Sequence, residues 1–107
     1  MVEYSEKGGL RWGHAFHQAS NATWPFARIS VSPEQVSLTL KFLNLVNESF
    51  DLQKGDIAAI RKMRGLFSVG IQFEHRNQRF PPFLLFWIGR KSRLIVELRR
   101  MGYEVED

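Results

Sequence analysis

From Trp24 onwards, apolar and polar residues alternate along much of the chain. Ala27, Ile29 and Val31 alternate with Arg28 and Ser30, and Val36, Leu38, Leu40 and Phe42 alternate with Ser37, Thr39 and Lys41. A period of two places all the apolar residues of such a run on one face of a strand. Between the two runs, Ser32-Pro33-Glu34-Gln35 looks like a helix start, with a capping Ser, a Pro at the first helical position and a Gln three residues on. A helix from Val36 would scatter Val36, Leu38 and Leu40 around its circumference, so the alternation prevails. Residues 27–42 are predicted as a hairpin, with 32–35 as its turn.

The same reasoning extends down the chain. Phe50 and Leu52 alternate with Asp51 and Gln53 in a third strand, and Lys54-Gly55-Asp56 makes a turn. Residues 57–64 are ambiguous by local pattern. Asp56 could cap a helix carrying Ile57, Ile60 and Met63 on one side and closed by Gly65, but eight residues is short and Arg61, Lys62 and Arg64 would need a wide solvated face. Leu66, Phe67 and Ser68 lead into the clearest strand, in which Val69, Ile71, Phe73 and His75 alternate with Gly70, Gln72 and Glu74. After the polar turn Asn77-Gln78-Arg79, residues 83–88 are apolar on both faces and suit a covered strand, with Pro81-Pro82 at its entry and Trp87 read as core. The last element is a helix over 89–101, where Leu94, Ile95, Leu98 and Met101 form one apolar stripe. Gly102 stops it, and Tyr103 and Val105 fold back as a staple.

Residues 1–23 are polar and broken by Gly8-Gly9 and Gly13. They read as an extended arm with a short strand around Leu10 to Phe16, which divides the chain into an N-terminal arm (1–20) and one domain (21–107). Six or seven short strands followed by one amphipathic helix make a mainly β fold: a β-barrel or sandwich whose open end the C-terminal α-helix caps. A length of 107 residues, 44% of them hydrophobic, suits one packed domain and excludes a disordered tail. The absence of cysteine excludes disulfides, zinc-thiolate sites and cysteine nucleophiles. Residues 1–14 lack the apolar core of a signal peptide, and the longest apolar run, 81–88, falls far short of the roughly 20 residues of a membrane helix. A cytoplasmic setting is therefore expected.

Charge changes the picture more than composition does. The net charge of +4 is unevenly spread: residues 54–100 hold eleven bases against Asp56, Glu74 and Glu97, giving +8. Such a segment attracts phosphates, anionic lipid or acidic protein surfaces. Chemistry of other kinds finds little support. His14 and His17 stand three apart beside Gly13, a poor helix for a metal pair, and His75 lies far off at a strand end. No Gly-rich phosphate loop or nucleophile elbow is present, and Asp51 and Asp56 lie across a turn with no reason to pair. The sequence reads as non-catalytic and without a cofactor.

Several segments together resemble the pleckstrin-homology-like superfamily, most closely its GRAM-like and small bacterial members. They are Asn21-Ala22-Thr23-Trp24-Pro25-Phe26-Ala27-Arg28-Ile29-Ser30-Val31, then Ser49-Phe50-Asp51-Leu52 with Asp56-Ile57 and Ile60, then Val69-Gly70-Ile71, Phe86, and the closing Leu94, Leu98 and Gly102. The resemblance covers about 21–105. It implies that 57–64 is a strand, and that the strands form two near-orthogonal sheets with the helix over one end. It also implies an interaction module. A protein or peptide partner ranks first, including a second copy of the chain, with Trp12, Phe16 and Trp24 as contact residues. Anionic membrane lipid ranks second, held by Lys41, Arg61, Lys62 and Arg64 on neighbouring strands with Arg76 and Arg79 on the following turn; the 32–35 turn, often basic in lipid-binding members, carries Glu34 and no base. Nucleic acid ranks last, because Phe73 alternates with Val69 and Ile71 as core and offers no stacking platform.

Overall fold

The computed structural model describes residues 3–15, 17–42 and 45–106. Seven strands follow one another: β1 (Tyr4–Ala15), β2 (Gln18–Val31), β3 (Gln35–Phe42), β4 (Leu45–Gln53), β5 (Ile57–Arg64), β6 (Ser68–His75) and β7 (Phe83–Gly89). A short helix, α1 (Leu94–Arg100), ends the order. Every strand pair is antiparallel, in the spatial order β4-β3-β2-β1-β7-β6-β5. The result is a curled half-barrel, mainly β, with one C-terminal helix.

The alternation fixes the concave face. Ile29, Val31, Val36, Leu38, Phe50 and Leu52 point inward from β2, β3 and β4, and meet Ile60, Ile71, Phe73, Leu84 and Phe86 from the other half. The predicted hairpin is present: Val31 pairs with Val36, and Ser32 and Gln35 exchange backbone hydrogen bonds of 2.9 and 3.3 Å around Pro33 and Glu34. Residues 57–64 form a strand, in register with β6 from Ile57↔His75 to Arg64↔Val69.

Three expectations change. The segment expected as an arm is the middle of the sheet. Leu10 is fully buried, and β1 pairs with β2 on one side and, over Gly9–Gly13, with β7 on the other. Its pattern hides because glycines stand where the packing is closest: a Cβ on Gly8 would lie 2.5 Å from the Trp87 carbonyl oxygen and 2.6 Å from the Phe86 ring. The two expected sheets are accordingly one, continuous through β1. The helix is shorter than expected, because 89–93 forms a turn in which the Ser92 amide donates to the Gly89 carbonyl and the Leu94 amide to the Ser92 hydroxyl (3.0 Å).

Leu94, Leu98 and Met101 bury the helix stripe in the core, with Ile95 partly buried beside them. Gly102 (φ +93°) then takes the left-handed conformation that closes helices. The Tyr103 amide donates to the Leu98 carbonyl and the Gly102 amide to the Arg99 carbonyl. Beyond it, Tyr103 and Val105 are buried, and the Tyr103 hydroxyl donates to the Ser32 carbonyl at 2.7 Å, tying the tail to the β2–β3 turn. Finally, the Glu106 backbone bridges β5, accepting from the Lys62 amide (2.7 Å) and donating to the Ile60 carbonyl (2.8 Å).

Burial, and secondarily Glu34, pushes the Tyr103 hydroxyl up to about 12. A phenol that resists ionisation in the fold stabilises it fully below its ordinary value near 10, and the contribution is lost as pH rises towards about 12. Tyr103→Phe is expected to lower stability by about 1 kcal/mol at neutral pH. It should also flatten part of the alkaline decline, read from urea unfolding at successive pH values.

Candidate functional site

Opposite Gly9, β2 departs from regular pairing. Gly8 pairs with Ala27 and Leu10 with Ala22, so one residue of β1 faces four of β2: Thr23, Trp24, Pro25 and Phe26. The surplus bows out of the sheet as a bulge, and the Trp24–Pro25 peptide bond within it is cis. Trp24 stands 69% exposed and Phe26 41%. Inside the bulge lies an open groove of about 440 Å³, lined mostly by carbon from Gly9, Ala22, Trp24, Trp87 and Ile88, with Ser68 and Gly89 at its margin.

Ser68 also borders a second hollow, of about 380 Å³, whose other walls are Lys62, Arg64, Gly65, Val69 and Arg90. It is built around the β5–β6 turn, where the Gly65 amide donates to the Ser68 carbonyl (2.9 Å) and leaves Leu66 and Phe67 at the apex. They are the most exposed large apolar side chains described, at 77% and 83%. The Arg90 guanidinium donates to the Leu66 carbonyl and fixes the turn to the end of β7. Trp87, on the outer face of β7, lines the first groove and lies close to positions 65 and 70, where a Cβ would meet its ring at 3.3 and 3.0 Å. It is thus partly buried on the outer surface and lines a groove, where the sequence placed it in the core.

The six bases expected to act together do not converge. Lys62 and Arg64 share the basic hollow with Arg90. Arg61 is drawn aside by Glu74 (3.2 Å) and Glu106 (3.8 Å). Arg76 and Arg79 lie beyond the opposite end of β6, about 23 Å along the strand at 3.3 Å per residue. There the Arg76 guanidinium donates to the Gly55 carbonyl (3.0 Å), and Arg79 sits over the Phe80 ring. Lys41 is on the other half of the sheet, bordering a groove with Trp12, Phe26 and Glu48.

Of the expected contact residues, Trp24 is exposed and Phe16 lies outside the described residues. Trp12 packs against the core, its ring 6.5 Å from that of Phe50, because β1 is an inner strand. Leu66, Phe67 and Arg90 were missed. The signal was there: an apolar pair directly after Arg64-Gly65, at a position where turn chemistry calls for Gly, Asn or Asp.

Groups with reactive potential are engaged in local bonds. Asp51 accepts from Ser37 and Ser49, and Asp56 from the Asn77 side-chain amide and the Gln53 backbone. His75 accepts from the Asn77 amide at Nδ1 (3.1 Å), so its Nε2–H donates to the Pro81 carbonyl (2.7 Å). His14 and His17 are exposed, and among the described residues no three His, Cys, Asp or Glu side chains are grouped to hold a metal ion. No helix among them is long and apolar enough to cross a membrane.

Trp12→Ala is expected to cost about 3 kcal/mol and Trp24→Ala no more than about 0.5 kcal/mol, both from urea unfolding. The reverse order would contradict the placement of β1.

No protein-family model matches the chain, and no curated protein does.

Proposed function

We propose that the chain is a pleckstrin-homology-like domain acting as a non-catalytic interaction module, with the β2 bulge and the β5–β6 turn as its working face. Seven antiparallel strands curled around a C-terminal helix support the assignment of fold. The observation that carries the function is the exposure of Trp24, Leu66 and Phe67 on segments that wall adjoining hollows. Large apolar side chains exposed together beside concave surface favour contact with a partner.

Magnitudes say what kind of contact this is. Covering three large apolar side chains yields about 1.5–3 kcal/mol each, about 5–9 kcal/mol together. Association costs about 4–15 kcal/mol in lost freedom. The crest alone therefore binds weakly, and the positive hollow adds steering and selection for negative charge. The fitting partner presents apolar atoms beside an anion. A segment of another protein laid in the groove under Trp24, or an anionic membrane, meets that description. Nucleic acid fits less well, since Phe73 is buried and Trp24 is the one indole standing largely free.

An amphipathic anion tests the face directly. Titration with 8-anilinonaphthalene-1-sulfonate, followed by amide chemical shifts, should perturb residues 23–26, 62–69 and 87–90. Trp24→Ala combined with Phe67→Ala should weaken binding about fivefold or more, with an unchanged circular dichroism spectrum. Shifts centred elsewhere, or affinity indifferent to the double substitution, refute the assignment.

A further inference from the structure

We infer that the groove beside Trp24 binds a small planar aromatic carboxylate, with its ring against Trp24 and Trp87 and its charge towards Arg64 and Arg90. The inference rests on the working face proposed above and gives it a ligand. Three observations carry it. The first is the kind of concavity. A groove of about 440 Å³ falls in the range of small-molecule sites, about 300–1,000 Å³. Two indoles line it, and indole faces take flat rings in offset-stacked or edge-to-face contact. The Trp87 ring is held closely over Gly65 and Gly70, so that wall is formed before a ligand arrives.

The second is the room kept beside that wall. Gly89 lies two residues beyond Trp87, on the same face of β7, and pairs with Ser68. A Cβ there would meet nothing within 4 Å, and the backbone is not left-handed. Neither crowding nor conformation calls for glycine at this position, and its effect is to leave the margin of the groove open. The third is charge. Ser68 lines both the groove and the basic hollow, and Gly89 leads directly into Arg90, so the two concavities adjoin. Lys62, Arg64 and Arg90 wall the hollow, and no carboxylate lines either concavity among the described residues. A ring seated on Trp87 therefore needs only a short link to bring an anion to guanidinium donors, which bind carboxylates through paired hydrogen bonds. A cationic ring would be repelled at the same place.

The test is calorimetric titration of the whole chain with 2-naphthoate. Binding is expected at one ligand per chain, with nuclear Overhauser contacts from the naphthalene protons to the Trp24 and Trp87 indoles. The neutral 2-naphthamide should bind about tenfold less tightly, and cyclohexanecarboxylate about fivefold less. Gly89→Leu, which fills open space, and Lys62→Gln with Arg64→Gln should each weaken naphthoate binding at least about fivefold. Phe67→Ala, outside the groove, should leave it unchanged. Equal affinity for the acid and its amide, contacts to other residues, or indifference to Gly89→Leu in a variant with an unchanged circular dichroism spectrum overturns the inference. So does a failure of naphthoate to bind while the sulfonate dye still perturbs 62–69 and weakens on Phe67→Ala, a result that leaves the face to a macromolecular partner. Failure of both dye and naphthoate removes the face itself.

Discussion

The position of β1 between β2 and β7 is the constraint on which everything else depends. It is the one strand that joins the two halves of the sheet, so the pairs Leu10↔Ala22 and Leu10↔Phe86 hold the half-barrel together at its middle. Close pairing on both sides demands small residues, and Gly8 and Gly9 supply them. Over the same stretch β1 has fewer residues than β2, and the surplus on β2 is the bulge that displays Trp24. Close packing on β1 and the exposed indole on β2 thus lie side by side across one strand pair.

The rest of the site is held from the other half. Trp87 lies on the outer face of β7, against β6 and the β5–β6 turn, while Phe86 and Ile88 on either side of it enter the core. Arg90, just past the end of β7, returns to the turn carbonyl. The apex residues therefore project from a turn anchored at both ends, which lets an exposed apolar tip keep its place without packing of its own. On the opposite flank Tyr103, locked by Gly102 and bonded to Ser32, brings the chain's end back across the mouth of the half-barrel.

The legible parts of the sequence were those where period two was unbroken. The hairpin 27–42, the strand at 69–75 and the stripe Leu94, Leu98, Met101 all read correctly, because one buried face leaves one pattern. The first strand was illegible for the same physical reason that makes it central: where neighbouring backbones and rings press closely, glycine replaces the apolar residue that pattern-reading looks for. The site was harder still. Trp24 is conspicuous by type, but its exposure follows from a register mismatch between β1 and β2 that no local pattern along either strand records. Arg90 meets Arg64 and Lys62 only because β6 lies between their strands. Leu66 and Phe67 could have been suspected from local rules alone; read as the lead-in to a strand, they looked ordinary.

The short bridge that Glu106 makes with β5 has a protective corollary. A sheet that curls without closing leaves raw margins, each a row of donors and acceptors able to recruit a neighbouring chain into stacked, fibre-like growth. At 60–62 those groups are already occupied by the backbone of Glu106. Arg61, flanked by two carboxylates, adds charge that an approaching strand would have to desolvate. The segment after Gly102, anchored in the core by Tyr103 and Val105, thereby also serves as a guard against self-assembly along that border.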